Sequence, residues 1–173
     1  MADVRFEDVE STVEAEVALV VSEGFPDLIN AKIKVLYDTK KRVTGDKIVL
    51  GRMMKSNDLL RHMTYEESKS DEGFDYFLFL DKMAYRNIDP ADRVRLVRHE
   101  LQHCDVDFET EKNPYGLRTH EIEDFYEEVA KNATEPEWRD RVALVAESLY
   151  DEEAEREKDS KKAKRNSPAE FAE

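Results

Sequence analysis

The feature that most constrains the fold is the segment 98–104, whose sequence RHELQHC places two histidines four positions apart around a glutamate. Residues four apart lie on the same face of an α-helix, one turn from each other. On a helix, His99 and His103 can direct imidazole nitrogens at a single metal ion, with Glu100 beside that face. The spacing therefore predicts a helix that carries a metal site, and a carboxylate placed to act there as a general base.

The apolar residues around the motif predict which side of this helix is buried. Pro90 suits a first helical turn, and we expect the helix to run from there to the neighbourhood of Phe108. Apolar residues at spacings of three and four form one stripe: Val94, Val97, Leu101, Cys104 and Phe108. At about 100° per residue, His99 and His103 lie about 130–170° from the middle of that stripe, so they face a cleft or solvent. Glu100 falls between the two faces.

A third ligand is needed, because catalytic zinc usually has three protein ligands and an open position. The next histidine is His120, and the loop at 109–118 is long enough to fold a following helix back across the first. We expect Thr119 to cap that helix, whose apolar face carries Ile122, Phe125, Tyr126 and Val129. We choose His120 as the third ligand, with Glu121 and Glu123 as alternatives, since a carboxylate can also bind zinc.

Three further observations narrow the site. The extended pattern H-E-x-x-H-x-x-G-x-x-H is excluded, because Val106 and Glu109 occupy the positions of its glycine and last histidine. Cys104 belongs to the apolar stripe, which favours a buried structural thiol over a ligand or nucleophile. His62 stands alone after Arg61, and we expect it on the surface.

The composition limits the partners and the compartment. The chain has 27 basic and 41 acidic residues and a formal net charge of −14, which argues against binding a phosphate backbone. The single cysteine allows no disulfide within the chain, and residues 1–8 lack the basic start and apolar run of a signal peptide. No stretch approaches the roughly 18 apolar residues of a membrane span. We therefore expect a cytoplasmic protein with no nucleic acid or membrane partner.

Segments rich in apolar and aromatic residues predict the sheet. The predicted strands are 32–38, 47–54 and 74–80. The turn sequence at 44–46 is suited to join the first two strands as a hairpin. Zinc peptidases of this build bind an extended substrate along a sheet edge, which the backbone of residues 75–82 could supply. The side chains of Phe77 and Phe79 are better explained as core residues.

Helical patterns complete an α+β domain over residues 1–150. Valines at helical spacing predict a first helix over 7–21, ended by Gly24 and Pro26. A last helix begins near Pro136 and carries Trp138, Val142, Val145 and Leu149. The predicted fold is a small mixed or antiparallel sheet of about three strands packed by about four helices. Residues 151–173 are almost wholly charged and small, and we expect a helical extension that frays into a disordered tail.

Two motifs together resemble a known family. Residues 95–104 and 119–125 match the H-E-L-x-H helix and the following H-[DE]-[IV]-[ED]-[ED]-F segment of the family named "putative phage metallopeptidase". The resemblance covers roughly residues 30–140, and the layout is also similar to that of SprT-like peptidases. It implies a minimal zincin fold, a zinc cofactor and His120 as third ligand. The chain lacks the cysteine-rich zinc module that some SprT-like members carry.

The favoured hypothesis is a zinc metallopeptidase with a peptide or protein substrate. His99, His103 and His120 hold Zn2+, and Glu100 is the general base. One alternative is a non-catalytic protein that keeps zinc for its structure. Another is an acidic binding protein that mimics nucleic acid, which the net charge of −14 allows. The substrate and the oligomeric state are open at this point.

Overall fold

A computed structural model describes residues 4–110, 113–120 and 125–166. The fold is α+β, as predicted, with more elements than predicted. The strands are Phe6–Asp8 (β1), Ile33–Asp38 (β2), Val43–Thr44 (β3), Lys47–Ile48 (β4), Gly51–Lys55 (β5), Tyr76–Asp81 (β6), Cys104–Val106 (β7) and Tyr115–Leu117 (β8). The helices are Ser11–Gly24 (α1), Asp58–Ser68 (α2), Lys82–Asn87 (α3), Pro90–Leu101 (α4), Tyr126–Lys131 (α5) and Trp138–Asn166 (α6).

The main sheet has four strands in the order β1-β2-β6-β5. β2 and β6 run parallel, and β1 and β5 pair antiparallel to them at the two edges. All six residues of β6 are buried, as expected for an apolar strand that has neighbours on both sides. Pairs of small strands, β3–β4 and β7–β8, lie outside this sheet.

The core lies between one face of the sheet and the helices α1 and α4. Its buried members include the helical stripe Val13, Val17, Val20 and Val21 of α1, together with Leu96, Val97 and Leu101 of α4. α1 packs directly on α4, and both supply residues to one continuous apolar cluster with alternate residues of β2 and β6. This packing fixes α4 in the interior, where its histidine motif has little freedom to move.

Two predictions about the sheet are wrong. Residues 47–54 do not form one strand paired with residues 32–38: β4 closes a tight hairpin with β3, and β5 pairs with β6. Gly45 allows this, because its φ of +64° suits a two-residue turn. Residues 75–82 do not supply an edge, because β6 lies between β2 and β5. The edge near α4 is β5.

The helix α2 was not predicted from the sequence, which assigned 64–73 to a polar segment. Its apolar residues form no buried stripe, since Leu59, Met63 and Tyr65 are all exposed. The sequence feature that could have indicated the start of α2 is its N-cap, Asn57. The side chain of Asn57 accepts a hydrogen bond from the amide of Leu60 at 2.9 Å.

α4 is shorter than predicted. It begins at Pro90 as expected but ends at Leu101, and the chain then turns into β7. Val94 is 40% exposed and Phe108 is 61% exposed, so neither belongs to the predicted buried stripe. The helix stops because residues 104–106 pair with residues 115–117, which takes their backbone groups out of the helical pattern.

The next helix is also displaced from its predicted position. Residues 118–120 are not helical, so Thr119 is not a cap, and α5 starts only at Tyr126. Ile122 lies outside the described residues. The pairing of β7 with β8 again explains the difference, because it keeps the chain extended up to Leu117.

α6 begins near Pro136, as predicted, and continues to Asn166. Trp138, Val142, Ala146 and Tyr150 are buried, whereas residues 151–162 are exposed throughout. The division at residue 150 stays a prediction. Within the described part of the chain, no helix combines the length and apolar character needed to cross a lipid bilayer.

Candidate metal centre

Helix α4 places the first half of the motif inside the molecule. His99 is 4% exposed and Glu100 is 5% exposed, and both line a cleft. His103 follows the last helical turn, where its amide donates to the carbonyl oxygen of Glu100 at 3.1 Å. This bond continues the helical rise by one more turn, so the rings of His99 and His103 remain neighbours, 5.6 Å apart.

The pairing of β7 with β8 brings the third histidine back to the motif. The amide of Arg118 donates to the carbonyl oxygen of His103 at 2.9 Å. In return, Nδ1 of His103 lies 3.0 Å from the carbonyl oxygen of Arg118. His120 follows two residues later and thus lies beside both motif histidines. An extended segment, rather than the helix expected at Thr119, brings His120 to this position.

The three histidines converge. Nε2 of His120 is 3.1 Å from Nε2 of His99, and one nitrogen of each of the three rings lies within 4.8 Å of the others. Nitrogens bound at about 2.1 Å in a tetrahedron are about 3.4 Å apart, so the set fits one metal ion. Glu121 and Glu123, the alternative third ligands, lie outside the described residues. His62 is exposed on α2, as predicted.

A cleft of about 550 Å³ opens onto the histidines. One wall comes from β5 and the β3–β4 hairpin, and the other from α4, residues 117–120 and the start of α6. The apolar lining includes Ile48, Leu50, Met53, Leu96, Leu117 and Trp138. Glu100 is the one carboxylate among the described residues that line the cleft. A polar centre in a mostly apolar groove is typical of a site for an extended ligand.

A family model described as "putative phage metallopeptidase" matches residues 4–165. The chain belongs to this family. Comparison with curated proteins and with solved structures found no match to this chain. The family name points to metal-dependent hydrolysis of peptide bonds, and the histidine cluster is a place in the described chain where a metal ion fits.

Phe125 forms the apolar floor of the histidine cluster. It is fully buried, and its ring centre lies 5.5, 4.8 and 4.9 Å from those of His99, His103 and His120. An apolar ring beneath the imidazoles lowers the local dielectric and limits the tilts that the rings can adopt. The sequence pattern assigned Phe125 to the core, and nothing local indicated this contact with all three histidines.

Arg118 links three parts of the structure around the histidine cluster. Its Nε donates to the carbonyl oxygen of Gln102 at 2.6 Å, a group that the end of α4 leaves without a helical partner. Its guanidinium also lies over the ring of Phe125, 5.0 Å from the ring centre. The backbone and the side chain of one residue therefore hold His103, the end of α4 and the floor together. Sequence reasoning did not identify Arg118.

Cys104 lies next to His103 but plays a structural part. Its side chain packs against the apolar core from β7, and burial raises the pKa of the thiol to about 12. A thiol with so high a pKa is almost entirely protonated near neutral pH, whereas both nucleophiles and metal ligands need the thiolate. The geometry agrees with the predicted structural thiol.

Proposed function

We propose that this protein is a zinc-dependent peptidase in which His99, His103 and His120 hold the metal and Glu100 is the general base. The observation that carries the proposal is the convergence of the three imidazoles beside a buried carboxylate, at the floor of an open cleft. Membership of a metallopeptidase family supports the same activity.

The donor set favours zinc among the common metals. Three neutral imidazoles suit zinc, and three protein ligands leave an open position for water or substrate. The hydrogen bond from Nδ1 of His103 to the Arg118 carbonyl leaves Nε2 with its lone pair available. When bound, zinc supplies Lewis acidity, which lowers the pKa of a water molecule and polarises a carbonyl oxygen.

Glu100 moves the proton in this mechanism. Its carboxylate accepts a proton as water adds to the peptide carbonyl, and then delivers it to the amine nitrogen that leaves. Glu100 is buried and lines the same cleft as the three histidines, which supports this role and leaves the ligand positions to the imidazoles. Burial also keeps bulk water from competing for that proton.

The edge strand β5 gives the substrate a place to bind. β5 is at the border of the sheet and lines the cleft with Gly51, Arg52 and Met53. An extended peptide can add to such an edge by backbone hydrogen bonds, with its side chains in the apolar parts of the cleft. We therefore assign to β5 the role that the sequence pattern gave to residues 75–82.

The open cleft separates this proposal from a purely structural zinc site. Structural zinc sites are closed by four protein ligands, whereas the histidine cluster borders a groove with room for several residues of a peptide. The cytoplasmic location and the lack of a nucleic acid partner, both expected from composition, stay predictions.

The decisive experiment is Glu100→Gln. The amide has nearly the same shape but accepts no proton, so zinc content should stay near one ion per chain while cleavage falls by about 10²–10⁴-fold. Zinc is measured by elemental analysis, and cleavage on casein and a broad peptide library. The exposed Glu127→Gln on α5 is the matched control and should cleave like wild type.

Two results would contradict the proposal. Cleavage that Glu100→Gln leaves unchanged would belong to a contaminating protease. Wild-type protein that holds one zinc ion but cleaves nothing across the library would be a zinc-containing binding protein.

A further inference from the structure

Gly51, the first residue of β5, lies against the side chain of Glu100. A Cβ atom built on Gly51 would lie 2.7 Å from Cγ and from Oε1 of Glu100, and 2.8 Å from Cδ. These separations are well inside van der Waals contact. Only a residue without a side chain lets the edge strand approach the carboxylate this closely.

The glycine is not required by its backbone conformation. Among the described glycines, those with positive φ are Gly45 and Gly73. The backbone of Gly51 is thus one that alanine adopts without strain, and in general alanine is favoured over glycine within a strand. The contact with Glu100 is the structural reason for a glycine at this position.

Neither partner can easily retreat. Gly51 is paired with Leu80 of the buried strand β6, and the carbonyl oxygen of Leu50 accepts from the amide of Asp81 at 2.9 Å. Glu100 sits on the packed helix α4. The atoms of Glu100 in this contact belong to the end of its side chain, so a methyl group on residue 51 would displace the carboxyl group before it displaced the backbone of either element.

We propose that Gly51 is a positioning residue for Glu100, which keeps the carboxylate at the distance from the histidine cluster that proton transfer requires. This proposal rests on the function proposed above. β5 then has two roles: its edge binds the substrate, and its first residue sets the position of the base. The two roles meet at the same residue, so a peptide paired along β5 passes directly beside the Glu100 carboxylate.

The kinetic test is Gly51→Ala in the zinc-loaded protein. Displacing the carboxylate by about an ångström should lower kcat about 100-fold, while KM and zinc affinity stay close to wild type. In a Glu100→Gln background, the same substitution should cause no further loss. A wild-type kcat for Gly51→Ala, or an equal loss in both backgrounds, would overturn the proposal.

A second test needs no activity. In metal-free protein, Gly51→Ala should lower Tm, because the methyl group meets the Glu100 side chain. In a Glu100→Ala background it should raise Tm or leave it unchanged, because the contact is gone and alanine suits a strand. Gly116→Ala on β8 is the control, since its Cβ would meet Asp105 only at an ordinary 3.5 Å.

The two failures are distinguishable. If Gly51→Ala changes Tm equally in both backgrounds, the contact does not position Glu100 and this inference is wrong. If the Tm reversal is found but wild-type protein cleaves no peptide, the contact is real and the proposed peptidase function fails instead.

Discussion

At the scale of single residues, one hydrogen bond fixes the tautomer and the ring orientation of His103. Its Nδ1 lies 3.0 Å from the carbonyl oxygen of Arg118. A carbonyl oxygen only accepts, so Nδ1 carries the proton and Nε2 keeps the lone pair toward the cluster. This is the arrangement in which a backbone group fixes both the tautomer and the orientation of a ligand ring. The partner carbonyl belongs to the segment that carries His120, so the positions of two of the three clustered histidines are coupled.

His120→Ala tests whether this histidine is the third ligand. Losing the hydrogen-bond partner of a metal ligand typically weakens metal binding by about 10–100-fold. Loss of the ligand itself should weaken zinc binding by more than that. Affinity is measured by competition with a chromophoric chelator. His62→Ala, on exposed α2, should bind zinc like wild type. A large loss for Glu121→Ala or Glu123→Ala, with His120→Ala nearly normal, would show that a carboxylate is the ligand.

At the scale of elements, a buried ionic network fastens α5 to α4. Glu128 is fully buried and accepts from Arg98 of α4, and Asn132 accepts from Arg98 at 2.9 Å and from Arg95 at 3.2 Å. Asn132 also donates to Glu128 at 3.1 Å, so the two helices share one set of partners. Phe125 immediately precedes α5. The network thereby holds the floor of the histidine cluster in place.

Glu128→Ala should therefore destabilise the protein strongly. It leaves Arg98 without its buried counter-charge, and breaking a buried pair in this way typically costs about 3–5 kcal/mol. Urea unfolding of the metal-free protein measures the change. Glu127→Ala, its exposed neighbour on α5, should change the free energy of unfolding by less than about 0.5 kcal/mol. Equal effects of the two substitutions would show that the network does not hold α5.

At the scale of the whole molecule, α6 divides into a packed part and a free part. The packed part ends at Tyr150, whose hydroxyl donates to the buried carboxylate of Asp81 at the end of β6. Burial is the main cause that raises the pKa of Asp81, and the Tyr150 hydroxyl partly offsets it by stabilising the charged form. Beyond Tyr150, residues 151–162 are exposed and charged or small.

Deleting residues 151–173 should leave the domain intact. The described part of this segment buries no apolar side chain, so Tm should change by less than about 2 °C. A deletion from residue 142 onward removes the buried Val142, Ala146 and Tyr150, and should abolish cooperative unfolding. Thermal unfolding followed by circular dichroism distinguishes the two. A large loss of Tm on the shorter deletion would place the domain boundary beyond residue 150.

The sequence by itself determined the features that depend on near neighbours. The helix that carries His99, the buried strand β6 and the start of α6 follow from local patterns of apolar residues and from Pro90 and Pro136. The family was also recognisable, because its two motifs are short and contiguous. The choice of His120 as third ligand rests on the rule that catalytic zinc has three protein ligands, on its place as the next histidine and on the family resemblance, and it stays a prediction.

The tertiary structure decided what depends on distant pairing. β7 pairs with β8, which ends α4 at Leu101 and brings His120 back along an extended segment. β5 rather than β6 became the edge because the fully buried, mainly apolar β6 is most stable with a strand on each side. Gly51 meets Glu100 only because these two long-range pairings set β5 beside α4, and no pattern within a few residues of Gly51 records that contact.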